Sequence, residues 1–214
     1  MGQPSYAHYV LTTSLGLAED HTSPDSGGIL ALAAVNSVWW RRSDEPIDKM
    51  TGYDRLVEIV TAAHPALDHV ELLTQAARRP TAAAEALART WALRENVFVV
   101  LSDVVEGVEP DLDTLNDALA EAATHIRLAA DGSGALRTTW DDPNDLHRPR
   151  WQIATSAVAL LTGEWRDRLK QCPGEKCGWV FLDLTRNRSK RWCDPAECGN
   201  RERVRAHYRR THAG

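Results

Sequence analysis

The chain has 214 residues, 43% hydrophobic and 26% charged, with 13 Gly and 10 Pro. This is the composition of an ordinary globular protein, and it excludes collagen-like, low-complexity and wholly disordered classes. No apolar run approaches the roughly 18 residues of a membrane span, so the sequence describes neither an integral membrane protein nor a disulfide miniprotein. The net charge of -5 conceals a division near Trp165: residues 1–165 carry 12 basic and 24 acidic groups, residues 166–214 carry 13 and 6. An acidic body with a basic tail points to an anionic partner for the tail, most often nucleic acid. The alternative is a solvated basic face that docks on the acidic body.

The start, Met1 to Tyr6, has no basic n-region or apolar h-region, and Tyr6 stands where a myristoylation signal needs Ser or Thr, so a cytoplasmic protein is expected. Thiols stay reduced there, and four cysteines confined to one C-terminal stretch read better as metal ligands than as disulfides. Arginine outnumbers lysine 21 to 4, in keeping with a GC-rich bacterial genome.

In chain order, residues 1–28 read as a loose arm with a short strand near Tyr9 to Leu11. An Ala-rich apolar stretch predicts a helix from Ile29 to Arg42, ending just after Trp39-Trp40. Two short helices follow, Tyr53 to Ala63 and Asp68 to Arg79, separated by Pro65. Thr81 is the expected N-cap of the longest helix, Ala82 to Glu106, stopped by Gly107. Leu87, Trp91, Arg94, Phe98, Leu101 and Val105 form its inward stripe. Asp111 caps a helix from Leu112 to about Ala130, and Asp131-Gly132-Ser133-Gly134 turns into a strand from Leu136 to Trp140. Pro149 opens a helix that carries Trp151, Val158, Trp165 and Leu169 straight to the first cysteine. The expected architecture is mainly α: a helical domain over 29–170, then a four-cysteine module over 171–214 built of a short hairpin and a helix. The last helix of the body would join the two semi-rigidly.

Cys172-x4-Cys177, fifteen residues, then Cys193-x4-Cys198 accounts for all four cysteines. Two such knuckles supply a tetrahedral structural zinc site with no open position for catalysis, and metal binding would provide much of the module's folding energy. A thiol redox pair and an iron-sulfur cluster are the competing readings. Trp179 to Leu182 reads as one hairpin arm, and Asp194-Pro195-Ala196-Glu197 as the cap of a helix running to about Arg210. Val204 and Tyr208 would pack on the zinc core, flanked by Arg201, Arg205 and Arg209 on one side and by Arg203 and Arg210 on the other. With Arg186, Arg188, Lys190 and Arg191 from the spacer, these side chains form a patch suited to phosphates and to guanine edges.

In the body, Arg94 falls on an apolar helical face, where a guanidinium needs an anionic partner. A core Asp or Glu, or snorkelling to the surface, is the plain reading. The sharper one is a ligand pocket in which Arg94 binds a small anionic effector, Asn36 hydrogen-bonds, and Trp39, Trp40 or Trp91 stacks. No phosphate loop, zinc-protease, nucleophile-elbow or dinucleotide motif occurs, so no catalytic residue is assigned. His64 and His69 are separated by Pro65 and do not read as a metal pair, and Asp141, Asp142 and Asp145 read as a solvated turn.

The string Cys193-Asp194-Pro195-Ala196-Glu197-Cys198-Gly199-Asn200-Arg201, with Trp179, Phe181-Leu182-Asp183 and Arg186-Asn187 before it, resembles the CGNR zinc finger. The N-terminal part is similar to the helical ABATE domain that accompanies it, through Leu32 to Ser37 and Ala92-Leu93-Arg94-Glu95. Ala33 and Ala34 depart from the acidic and aromatic residues usual there. The resemblance implies a bacterial transcription regulator, one structural zinc ion and Asn200 among the nucleic-acid contacts. The expected function is therefore a DNA-binding regulator whose body senses an effector or forms a homodimer, with no membrane partner. The alternative is a metabolite-binding protein or enzyme whose finger is structural or docks a protein. RNA binding shares the basic patch but has only Trp179 and Trp192 as stacking platforms.

Overall fold

The computed structural model describes residues 29–63, 68–130, 132 and 134–212. The arm expected over 1–28 lies outside them, as do His64, Pro65, Asp131 and Ser133. The described chain runs α1 (Leu30–Val35), β1 (Val38–Trp39), β2 (Ile47–Asp48), α2 (Tyr53–Ala63), α3 (His69–Arg78), α4 (Pro80–Glu106), α5 (Asp113–His125), β3 (Ile126–Ala130), β4 (Leu136–Trp140) and α6 (Arg148–Thr162). A 3-10 turn (Arg166–Arg168), β5 (Leu169–Gln171), β6 (Val180–Leu182), a π turn (Pro195–Gly199) and α7 (Asn200–His212) complete it. The strands form three separate antiparallel pairs, β1-β2, β3-β4 and β5-β6.

The body is built on α1, whose apolar residues point in every direction. Leu30, Ala31, Leu32, Ala34 and Val35 are all buried, which places this short helix at the centre, against α2, α4 and α6. Its end differs from expectation. Ser37 Oγ donates to the Ala34 carbonyl at 2.7 Å, the Asn36 side chain is drawn away to the finger, and Trp40 takes a φ of 56°. Short polar side chains that bond the backbone end a helix in this way, so the chain turns into β1 instead of continuing to Arg42.

The helix α4 starts on Pro80 rather than on a Thr81 cap, since Pro suits the first helical turn. It ends on Gly107 at φ 74°, with Val108 N bonded to the Asp103 carbonyl at 2.8 Å, the pattern of a Schellman cap. Its contacts with α5 and α6 are fixed by Glu121, which accepts from Arg150 at 2.7 Å and from Trp151 Nε1 at 3.1 Å, and pairs with Arg89.

Two further helices are shorter than the sequence suggests. The last residues expected in α5 instead form β3, paired from Ile126↔Trp140 to Ala130↔Leu136. Asp141 fastens the base of that hairpin by accepting from Arg127 at 2.8 Å and contacting His125 at 3.1 Å. The helix α6 stops at Gly163, which is extended, and Leu169 to Gln171 is a strand, so no helical rod reaches Cys172. What joins the parts is packing. In β6 the side chains alternate, and Val180 and Leu182 enter the body's core with Leu169 whereas Phe181 enters the cysteine cluster.

Candidate metal centre and nucleic-acid interface

The finger's hairpin pairs Leu169↔Leu182, Lys170↔Phe181 and Gln171↔Val180. Just beyond it, Cys172 N bonds to the Trp179 carbonyl at 2.8 Å and Cys177 N to that of Gly174 at 2.9 Å, which folds the first knuckle back on itself. In the second, Asp194 Oδ1 accepts from Ala196 N at 2.7 Å and Glu197 N at 3.1 Å, so the capping residue expected there is in place.

The four thiol sulfurs lie within 4.8 Å of one another. Cys177 and Cys193 are 3.6 Å apart, and Cys193 and Cys198 are 3.7 Å apart. A tetrahedron with metal-sulfur bonds of about 2.3 Å has edges of about 3.8 Å, whereas a disulfide needs about 2.05 Å. The spacing fits one zinc ion held by Cys172, Cys177, Cys193 and Cys198, three of them buried. Thiol donation from Cys177 and Cys193 holds Cys172 far below the usual thiol range, and contact with Cys172 pushes Cys177 and Cys193 up. A divalent cation resolves that conflict by stabilising four thiolates together. Phe181, Trp179 and Trp192 close the cluster. A Cβ on Gly199 would lie 3.0 Å from the Trp192 ring, so a larger residue there requires the indole to shift by a few tenths of an ångström.

The body grips this module at several points. Asn36 Nδ2 donates to the Val180 carbonyl at 2.8 Å and Asn36 Oδ1 accepts from Val180 N at 3.1 Å, so a buried side chain continues the pairing of β6. Trp179 Nε1 donates to the Val38 carbonyl at 2.9 Å, Arg42 N to that of Lys176 at 3.2 Å, and Gln171 Nε2 to Ser102 Oγ at 3.1 Å.

The residues grouped as a ligand pocket are largely committed to such internal contacts. Arg94 binds both oxygens of Asp48 at 2.8 Å and also reaches Glu95 and Ser37. Trp91 Nε1 donates to the Met50 carbonyl at 2.9 Å. The plain reading of Arg94 thus describes the structure: Asp48, carried in by β2, supplies the anion that a guanidinium 5% exposed requires. Trp39 and Trp40 lie elsewhere, beside the cysteines, with Trp39 edge-on to Trp179 at 6.0 Å.

The basic residues fall into two groups. In the spacer, Lys170 Nζ reaches Asp183 at 2.5 Å and donates to the carbonyls of Arg188 and Lys190 at 2.6 and 3.1 Å. Burial alone would raise the Asp183 carboxyl, but Lys170 and Thr185 outweigh it and hold the group at about 2. This hub fixes the loop that displays Arg186 and Arg188, while Lys190 lies over Phe181 and Arg191 over Trp192. Sequence reasoning missed Lys170 and Asp183 as a pair, for which only the Asp183-x-Thr185 turn gave a signal.

The second group is α7, where no residue is buried. Val204 and Tyr208 are 50% and 62% exposed, so they do not pack on the zinc core, whose space Phe181, Trp179 and Trp192 already fill. Asn200 opens the helix and is exposed, as are Arg201, Arg203, Arg209 and Arg210, while Arg205 is half-buried.

Two successive stretches of the chain match known family models, and the order is the one expected. A model named ABATE, described as "Putative stress-induced transcription regulator", matches residues 28–164, and a model described as the CGNR zinc finger matches residues 168–211. The chain belongs to the ABATE family and carries a CGNR zinc finger. No curated protein matches it. The Cys198-Gly199-Asn200-Arg201 string lies where the last zinc ligand, the Trp192 contact and the first turn of α7 meet. Among the described residues, no helix of this ABATE protein is long and apolar enough to cross a membrane.

Proposed function

We propose that this ABATE protein is a DNA-binding transcription regulator of the cytoplasm, in which the zinc is structural and α7 with the spacer loop contacts the nucleic acid. The observation that carries the reading is α7 itself. It is 13 residues long with five arginines and no buried residue, so neither core packing nor the zinc accounts for its sequence. A helix of that length is marginal alone in water. The zinc cluster anchors its first turn, and Arg203, Arg209 and Arg210, exposed and with no carboxylate partner among the described residues, suit phosphates.

The body's part follows from how the finger is attached. Asn36 holds β6, and Val180 and Leu182 are packed in the body's core, so a ligand or a second copy that altered α1 or the β1-β2 turn would move the finger. A small anionic effector and a homodimer are two forms of that input. The test is binding of the zinc-loaded protein to duplex DNA from upstream of its own gene, compared with a random duplex and with chelator-treated protein. The expected result is zinc-dependent binding that favours the upstream duplex. No binding to either duplex at low salt would overturn the reading and assign the finger to protein docking.

A further inference from the structure

The two sides of α7 are not equivalent. At about 100° per residue, Arg201 and Arg205 share one side and Arg203, His207 and Arg210 share the opposite one. On the first side the Arg201 guanidinium lies 4.1 Å from the centre of the Trp40 ring and 3.7 Å from the Glu197 carboxylate. Arg205 is paired with Glu175 at 2.5 Å and Glu202 at 2.8 Å. These contacts border a cleft of about 520 Å³ between α7 and the β1-β2 turn, which also displays Asp44 and Glu45. Its carboxylates repel a phosphate backbone, and its two arginines already have partners.

Trp40, the body's contribution, has a φ of 56°. Bulky side chains rarely adopt that region, and such strain persists only where surrounding structure over-determines it. On the opposite side, Arg203, His207 and Arg210 are exposed, and among the described residues none pairs with a carboxylate. They span about 10 Å along the helix axis at about 1.5 Å per residue.

We infer that α7 meets DNA with its Arg203, His207 and Arg210 side, and that Arg201 and Arg205 are positioning residues that clamp the helix to the body and the first knuckle through Trp40 and Glu175. The inference rests on the DNA-binding reading above. It differs from the sequence expectation, in which Arg201 and Arg205 belonged to the contact surface, and it makes the direction of the recognition helix depend on a residue of the ABATE body. Charge complementarity names the occupant. Among the described residues the exposed face carries Arg203 and Arg210 with no carboxylate against them, Arg203 reaching only the Pro195 carbonyl at 3.5 Å, and the clamped face is lined with acids.

The experiment follows binding of the zinc-loaded full chain to a random-sequence duplex over a salt series, together with hydrogen exchange of the α7 amides without DNA. Arg203→Ala and Arg210→Ala should each lower the slope of log affinity against log salt by about 0.9, one phosphate contact each. Arg201→Ala and Arg205→Ala should leave the slope unchanged and speed exchange of α7. Trp40→Ala should reproduce Arg201→Ala in exchange, the double variant should be no faster than either, and Trp40→Phe should restore protection. Slope losses at Arg201 and Arg205 with none at Arg203 and Arg210 would overturn the assigned face. Unchanged exchange in both Arg201→Ala and Trp40→Ala would overturn the clamp. Wild-type protein that binds no duplex at low salt would overturn the DNA reading and the contact face with it, while the exchange data still decide the clamp.

Discussion

At the scale of single residues, the metal ligands and the buried titratable groups make the sharpest claims. Cys198 is 7% exposed and its sulfur is 3.7 Å from that of Cys193. Cys198→Ser should therefore release the zinc and unfold the second knuckle with the first turn of α7; metal content equal to wild type would contradict the four-cysteine site. His147 responds to pH. Burial, reinforced by the Arg89 guanidinium, holds it below the usual histidine range. Such a group is neutral in folded and unfolded chains well above about pH 6.5, and as the pH falls through that value the unfolded chain takes up the proton first, so stability falls. His147→Phe should remove that component: between about pH 7.5 and about pH 5.5 the wild type should lose more stability to urea than the variant, and equal losses would refute it. The cysteine ligands were legible in the sequence because spacing and exclusivity define a metal site without knowledge of the fold. The partner of Arg94 was not, since Asp48 is 46 residues away in sequence and arrives by tertiary folding of β2.

At the scale of elements, α2 and α3 keep ends that the sequence reading takes from local signals, the early stop of α1 at Ser37 and the start of α4 on Pro80 are local signals that reading passes over, and ends set by distant partners were not legible. The helix α2 has its expected bounds, and Asp68 caps α3 by accepting from Glu71 N at 3.0 Å. By contrast α5 and α6 lose their last turns to strand pairing that period-based reasoning could not foresee, with β4 and β6 respectively. The helix-to-helix joint at Glu121 was equally invisible, because its partners Arg89 and Arg150 lie on two other helices. Arg150 is 5% exposed, so Glu121→Gln leaves a buried guanidinium without its anion and should cost about 3 kcal/mol, read from denaturant unfolding. A loss within error of zero would show that water replaces the carboxylate there.

For the whole molecule, the acidic body and basic tail suggested by charge are physically one packed unit rather than two beads on a rod. The hydrophobic cluster of the body includes Leu169, Val180 and Leu182 from the finger, so removing zinc should lower the melting temperature of the body as well as of the finger, in one cooperative transition. Two independent transitions, with the body's unmoved, would contradict that coupling. The basic surface keeps its expected residues, but its organisation comes from the fold: Lys170 holds the spacer loop, and Trp40 and Glu175 hold one side of α7. The claim on which the functional account depends is that exposed cations of this finger bind nucleic acid. The most direct measurement is the affinity of zinc-loaded wild type and of an Arg203, Arg209, Arg210 triple-alanine variant for the upstream duplex at two salt concentrations. Wild-type binding should weaken steeply with salt, and the variant should show lower affinity and a shallower slope. Equal affinity and equal slope in the two proteins would contradict the claim.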